Sequence, residues 1–228
     1  MGRRDENRER IEAAILELGR RQLAEVGPAQ LSLRAVAREL GVSSSAVYRY
    51  VESRDDLLTR LIVGAYEDVG RAVEAAVAEL GEGGGEGLTA WRTACHALRG
   101  WARAHPNEWT LVYGSPVPGY VAPESTVAPA GLVARVLARI VRAGGPVDDL
   151  RASFSADLVG QLDQTAEMMD LPADPARTAL LVFAWSQLVG TIGLELSGHY
   201  VGSVDPTDDY WQWLVDDLAE RLGLCGTR

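Results

Sequence analysis

The chain has 228 residues, 47% of them hydrophobic and 24% charged; that is enough apolar surface to bury a sizeable core in one large domain or two small ones, and it excludes disorder along the whole length. Its 22 basic residues are all arginine and are outnumbered by 32 acidic ones, for a net charge of −10, so bulk charge does not draw the molecule to nucleic acid or anionic lipid. Cys95 and Cys225 are too few and too far apart for a disulfide framework or a metal site, and the first ten residues lack the apolar stretch of a secretory signal, so a reducing, cytoplasmic compartment and no cofactor are expected.

The charge is uneven along the chain. Residues 1–60 hold 11 arginines against 10 acidic residues, residues 61–228 hold 11 against 22, and all six tryptophans lie beyond residue 90. This predicts two jobs in one chain: a nearly neutral head, residues 1–54, and an acidic, aromatic body, residues 55–228.

Nearly every apolar pattern has helical period and no segment reads as a strand, so the expected fold class is all-α. Ile11, Ile15 and Leu18 share one face of a first helix, which Gly27-Pro28 stops. Ser32 can cap a short helix carrying Val36, Ala37 and Leu40, ended by Gly41, and Ser43 can cap a third with Val47 and Tyr50. After Ser53 a long helix shows Leu57, Leu61, Ala65, Val69, Ala72, Ala76 and Leu80, and Gly81–Gly87 breaks it. A fifth carries Trp91, Cys95, Leu98 and Ala102 and ends before Pro106. Pro116, Pro118, Pro123 and Pro129 make residues 114–131 a loop or broken turns. Helical period returns over 132–141, 154–169, 178–198 and 210–222.

The informative stretch is Leu31–Leu58. Two short helices separated by Gly41-Val42-Ser43 fit a helix-turn-helix, with Gly41 free to take the left-handed conformation of a tight turn. Val36, Ala37 and Leu40 pack against Val47, which turns Ser44, Ser45, Ala46 and Arg49 outward. Short side chains near the start of the second helix let its backbone approach a major groove, and arginine pairs with guanine O6 and N7. Tyr48 and Tyr50 offer hydroxyls, and Arg54 a charge, to phosphates on the groove wall.

These residues resemble a known family. Leu31-Ser-Leu-Arg-Ala-Val-Ala, Leu40-Gly-Val-Ser and Ala46-Val-Tyr-Arg-Tyr, followed by Arg54 and Leu57-Leu58, look like the N-terminal domain of a TetR-family transcriptional regulator over about residues 8–62. The resemblance implies that Arg34, Ser44, Ser45, Ala46 and Arg49 face bases, and that Ser32, Tyr48, Tyr50 and Arg54 hold phosphates. It implies a three-helix DNA-binding head on a helical ligand-binding and dimerisation body. Arg54 stands where the family usually has lysine, and Tyr50 where histidine or phenylalanine is frequent. One head reads only a few base pairs, so a dimer on an inverted-repeat operator in double-stranded DNA is expected.

In the body, residues 178–198 are apolar on nearly every side, with Glu195 their one charge. The length approaches a membrane span, but Ser186, Gln187, Gly190, Thr191 and Gly193 interrupt it, and a buried helix is expected. Burial on all sides needs more than one partner. Either the helix is central in a monomer, or it packs on its own core and on a second subunit. The second reading, with the stripe Trp211, Leu214, Val215, Leu218 and Leu222, predicts a homodimer through residues 178–198 and 210–222; the two C-terminal helices play this part in the resembling family. Ala104-His-Pro, residues 113–120, and Trp185 through Gly198-His199 also resemble the C-terminal Trp-His-Gly subtype of actinobacterial TetR regulators, although Ser186-Gln187 replaces the His-Gly. The family implies a pocket for a small-molecule effector. Trp91, Trp101, Trp109, Tyr113, Met168, Met169, Phe183 and Trp185 can line it, with His96, His105 and Gln187 as polar handles. Release of a repressor by such an effector, apolar or aromatic, is the expected function.

The alternative is a helical small-molecule-binding protein or enzyme whose head does not bind DNA. His96, His105 and His199 are scattered, and no zinc-protease, serine-elbow or Cys-His pattern occurs. Asp148-Asp149, Asp208-Asp209 and Asp216-Asp217 are doublets whose side chains diverge on a helix, so they read as caps or solvated faces. The Gly81–Gly87 run lacks the lysine and the preceding strand of a phosphate loop. No enzyme is expected.

Overall fold

The computed structural model describes residues 3–81, 87–147 and 153–225, and the regular structure among them is entirely helical. The α-helices are α1 (Arg3–Val26), α2 (Leu33–Glu39), α3 (Ser44–Val47), α4 (Arg54–Ala78), α5 (Gly87–Ala104), α6 (Pro106–Tyr113), α7 (Val127–Ala130), α8 (Leu132–Val141), α9 (Ala156–Met168), α10 (Pro175–Leu196) and α11 (Thr207–Arg221). They pack as two compact units, residues 1–67 with 105–130 and residues 68–104 with 131–228. The chain therefore visits the first unit twice.

The first unit is built around Ile15 and Leu18 of α1, Val36 and Ala37 of α2, Val47 of α3 and Leu57, Leu58 and Leu61 of α4, joined by Val117 from the later segment. Gly27, at φ 76°, ends α1, and Pro28 opens a 3-10 turn over Pro28–Gln30. The Ser32 side chain accepts from the Ala35 N–H at 3.4 Å, and the Ser32 N–H donates to Gln22 Oε1 at 2.9 Å, so cap and helix α1 hold each other. Gly41 takes φ 68°, the turn conformation that its place in the sequence requires. Ser43 has the extended backbone of an N-cap but makes no capping bond, because its hydroxyl pairs with that of Ser45 at 3.0 Å. Helix α3 closes at Val47, and Tyr50 lies beyond it in a turn whose N–H donates to the Val47 carbonyl. Ser53 caps α4 by accepting from the Asp56 N–H at 3.0 Å, while Asp56 Oδ2 accepts from the Glu52 N–H at 2.8 Å. This is close to a capping box.

In the second unit α5 packs on α8 and α11, and α10 touches α5, α8, α9 and α11. Trp91, Leu98, Leu137, Ile140, Leu188, Ile192, Trp211 and Leu218 are fully buried there. Gly70 of α4 passes close to Leu132: a Cβ on it would lie 2.6 Å from the leucine Cβ. Helix α10 starts at Pro175, three residues before the predicted limit, with Asp174 accepting from the Arg177 N–H. The α11 stripe of Trp211, Leu214, Val215, Leu218 and Leu222 is spent inside its own unit, leaving Trp213 as the exposed aromatic of that helix. Helix α6 has no counterpart in the sequence reading, whereas the expected broken turns after Gly114 are present as a 3-10 turn (Glu124–Thr126) and α7. Most of the predicted break at Gly81–Gly87 and the Asp148-Asp149 doublet lie outside the described residues.

Candidate nucleic-acid interface

The first unit presents the predicted DNA-facing residues as a patch around α2 and α3. Arg34, Ser45, Tyr48 and Arg49 are exposed, and Ser44, Ala46 and Tyr50 are half-buried. The described arginine side chains of this unit fall into two groups. Arg8 pairs with Glu12, Arg20 with Glu17, Arg21 with Glu39, Arg54 with Asp55 and Arg60 with Asp56, and Arg10 donates to Asn7 Oδ1 at 2.7 Å. Arg34, Arg38 and Arg49 are exposed and have no hydrogen bond or ion pair among the described residues. Uncommitted positive charge is thus concentrated on the face that carries the short side chains of α3.

Tyr50 packs against the core, with the Arg8 guanidinium 5.9 Å from its ring centroid. Arg54 also plays a structural part. One of its guanidinium nitrogens donates to the Pro28 carbonyl at 2.8 Å and lies 3.4 Å from that of Ala29. It ties the start of α4 to the α1–α2 connection. Ser32 is occupied as the cap of α2.

The effector residues inferred from sequence are spread over both units. Trp109 and Tyr113 pack together in the first, with ring centroids 4.5 Å apart, and Tyr66 lies edge-on to Tyr113 at 5.7 Å. Burial, together with the nearby Tyr66, raises the Tyr113 hydroxyl pKa, and burial alone raises that of Tyr66. His105 is exposed at the start of α6. In the second unit Trp91 is fully buried and donates to the Val215 carbonyl at 2.9 Å, Trp101 is buried, and Trp185 and Met169 are half-buried. Met168, Phe183 and Gln187 are exposed. His96, also exposed, shares a 3.1 Å hydrogen bond with Gln212 at a cavity of about 390 Å³ that Arg99, Arg103 and Asp208 also line.

Arg99 and Arg177 drew no comment from the sequence, yet they organise the second unit. Arg99 forms two 2.7 Å bonds to Glu195, a 2.8 Å pair with Asp208 and a contact 5.3 Å from the Trp211 ring centroid. Burial opposes its charge, but the two carboxylates prevail and its pKa is raised. Arg177 donates to the carbonyls of Val141, Leu222 and Gly145, collecting the ends of α8 and α11. Of the acidic doublets, Asp216 is held below the usual carboxylate range chiefly by its hydrogen bond from Arg92, and Asp217 pairs with Arg221. Burial pushes the Cys95 thiol well up, which removes it as a nucleophile.

Comparison with known proteins gives this geometry a family. Residues 15–61 match the family model described as bacterial regulatory proteins, tetR family, and residues 91–218 match the tetracyclin repressor-like C-terminal domain. An HTH-type transcriptional regulator of Mycobacterium tuberculosis and one of Mycobacterium bovis are each 41% identical over 233 residues, covering 97% of this chain and 97% of the relative. The crystal structure of the candidate regulatory protein SCO4313 superposes with a TM-score of 0.75 at 29% identity, over 95% of this chain and 98% of that one. A TetR family transcription regulator from Marinobacter aquaeolei VT8 shares the fold, with a TM-score of 0.59 at 17% identity over 97% and 98% of the two chains. These relatives are named as regulators of transcription and not as enzymes. With a helix-turn-helix head and a matching C-terminal domain on one chain, this protein belongs to the TetR family of helix-turn-helix transcriptional regulators.

Proposed function

We propose that the chain is a ligand-responsive repressor, which binds an inverted-repeat operator as a homodimer in the cytoplasm and leaves it when a small apolar or aromatic effector binds. Residues 1–54 are the DNA-binding part and residues 55–228 the ligand-binding and dimerisation part. The observation that carries the reading is the set of uncommitted, exposed arginines on the recognition face, Arg34, Arg38 and Arg49, in a head whose other described arginine side chains are largely paired. Arg34 and Arg49 read base edges beside Ser44, Ser45 and Ala46. Ser32, Tyr48, Tyr50 and Arg54 hold the phosphates, Arg54 with what its bonds to the α1–α2 connection leave free.

The dimer is supported by α10. One side of it is buried through Leu181, Ala184, Leu188 and Ile192, and the other leaves Val182, Phe183 and Leu194 between 43% and 44% exposed. With Trp213 of α11 at 58% exposure, that surface suits a second copy. Two recognition turns about 34 Å apart then meet successive major grooves on one face of the duplex. An effector that prefers a different dimer spacing by a few kcal/mol empties the operator.

The test is Arg34→Ala with Arg49→Ala. Each lost base pairing is expected to cost about 1–3 kcal/mol of specific binding, read by fluorescence anisotropy on an operator found by random-sequence selection, with the dimer unchanged in sedimentation. Undiminished affinity in the double variant would remove the recognition face from these residues.

A further inference from the structure

The residues proposed from sequence for the effector are distributed over both units, but a cavity of about 490 Å³ lies wholly within the unit that carries the helix-turn-helix. It is bounded by Ile62 and Tyr66 of α4, by Leu111 and Val112 of α6, and by the proline-rich segment that follows, through Val117 and Tyr120. The cavity has a marked chemical character. Its 13 lining residues include none that is charged, in a chain of which 24% is charged. Three of the four hydroxyls around it are already donating or shared: Tyr66 to the Val112 carbonyl at 3.0 Å, Thr126 to the Pro123 carbonyl at 2.8 Å, and Tyr120 with Thr59 at 2.8 Å; the fourth, Ser115, is exposed at the rim. Lone pairs on these oxygens can still accept a hydrogen bond, but no charged side chain lines the cavity to compensate an ion for lost hydration. The volume falls within the usual range of small-molecule sites, about 300–1,000 Å³.

We infer that this cavity is the effector site and that its ligand is uncharged and largely apolar, with aromatic surface to set against Tyr66 and Tyr120. The inference rests on the ligand-responsive reading above and places the regulation within the compact unit that also carries the helix-turn-helix. Two lining residues, Ile62 and Val117, belong to the same core that buries Val47 of α3. The Tyr120–Thr59 bond ties the proline-rich segment to the second turn of α4, whose first residue, Arg54, holds the Pro28 carbonyl. An occupant that displaces this segment loosens the start of α4 and the core beneath α3 together. None of the tryptophans, methionines or histidines expected from sequence lines the cavity.

N-phenylnaphthylamine and its sulfonated analogue, anilinonaphthalene sulfonate, test the assignment, because they share an aromatic skeleton and differ by one charge. Full-length protein is expected to bind the neutral probe saturably, one per chain, and the sulfonate at least about tenfold more weakly. Val127→Trp and Ser115→Arg alter two lining positions that are exposed, so the fold should survive, as circular dichroism will verify. Each should weaken the neutral probe by about tenfold or more, the first by filling space and the second by stranding a charge beside apolar surface. Absence of saturable binding, equal affinity for the sulfonate, or binding that both variants leave intact would overturn the assignment. The operator arm separates the two proposals. Release of operator by the neutral probe from the wild type but not from Val127→Trp supports both. Binding in the expected pattern with the operator retained keeps the cavity as a ligand site and overturns its coupling to DNA. Release by another molecule that acts equally on Val127→Trp keeps the ligand-responsive regulator and overturns the cavity.

Discussion

Glu195 is the one acidic residue in the most apolar helix of the chain, whose other charge, Arg177, stands in its first turn, and the environment of Glu195 explains why it is tolerated. Both carboxylate oxygens receive a hydrogen bond from Arg99, whose side chain is 7% exposed. A buried ion pair stripped of one member leaves an uncompensated charge, at about 3–5 kcal/mol, whereas replacing both members by apolar groups is often neutral. Arg99→Ala is therefore expected to lose about 3–5 kcal/mol in urea unfolding at fixed chain concentration, and Arg99→Met with Glu195→Leu to recover most of it. Asp208, the other carboxylate on Arg99, is 74% exposed and returns to water in either variant. A single substitution costing less than about 1 kcal/mol would show that the pair behaves as a surface bridge. The oddness of Glu195 was legible in the sequence. Its partner, 96 positions away, was not, because no local pattern marks an arginine in α5 as facing inward.

Among the elements, the long helices follow from periodicity and the short ones do not. Helix α8 occupies 132–141 as expected, and α4 follows Ser53 as expected, because ten or more residues show a full apolar face. Helix α6 spans eight residues with Trp109 alone buried, so too few positions repeat to reveal a period. Helix α3 is a single turn, recognisable only through the motif around it. Glycine inside a helix separates propensity from packing. Glycine to alanine ordinarily gains about 0.5–1 kcal/mol in a helix interior. Gly160 of α9 has open space where a Cβ would stand, so Gly160→Ala is expected to stabilise by that amount. Gly70→Ala is expected to do the opposite, by about 1–3 kcal/mol, because its Cβ would meet that of Leu132 at 2.6 Å and backbone must move. Thermal unfolding of the two variants side by side decides the matter, since a stabilised Gly70→Ala would mean that α4 and α8 are free to separate at that crossing.

At the scale of the whole molecule, the −10 charge and DNA binding are reconciled by placement. Under the proposed function attraction comes from a few unpaired arginines on one face, so we expect a shallow dependence of operator affinity on salt, set by few phosphate contacts per half-site. The proposed dimer makes a separate prediction. Phe183→Glu puts a charge on the exposed side of α10 without touching the buried side. Sedimentation should show monomer, and operator affinity should fall although each head is intact, since one head contacts too few base pairs alone. A dimeric Phe183→Glu would move the interface to another surface.

The amino-acid order was sufficient for the all-helical class, the turn at Gly41 and the family resemblance. Those features are local: helical period, a left-handed glycine and a motif of some thirty residues are each complete within one stretch of chain. Three-dimensional packing assigned the rest. Composition makes α10 apolar on nearly every side and cannot say which side stays exposed; the arrangement of α5, α8, α9 and α11 against it does. The α11 stripe was expected from the sequence to face a partner subunit, and it is buried within its own unit. The uncharged cavity draws its lining from α4 and from residues 111–130, segments brought together only because the chain returns to the first unit. Contacts at such separations depend on the shapes of whole packed helices, and these are not encoded at any single place in the sequence.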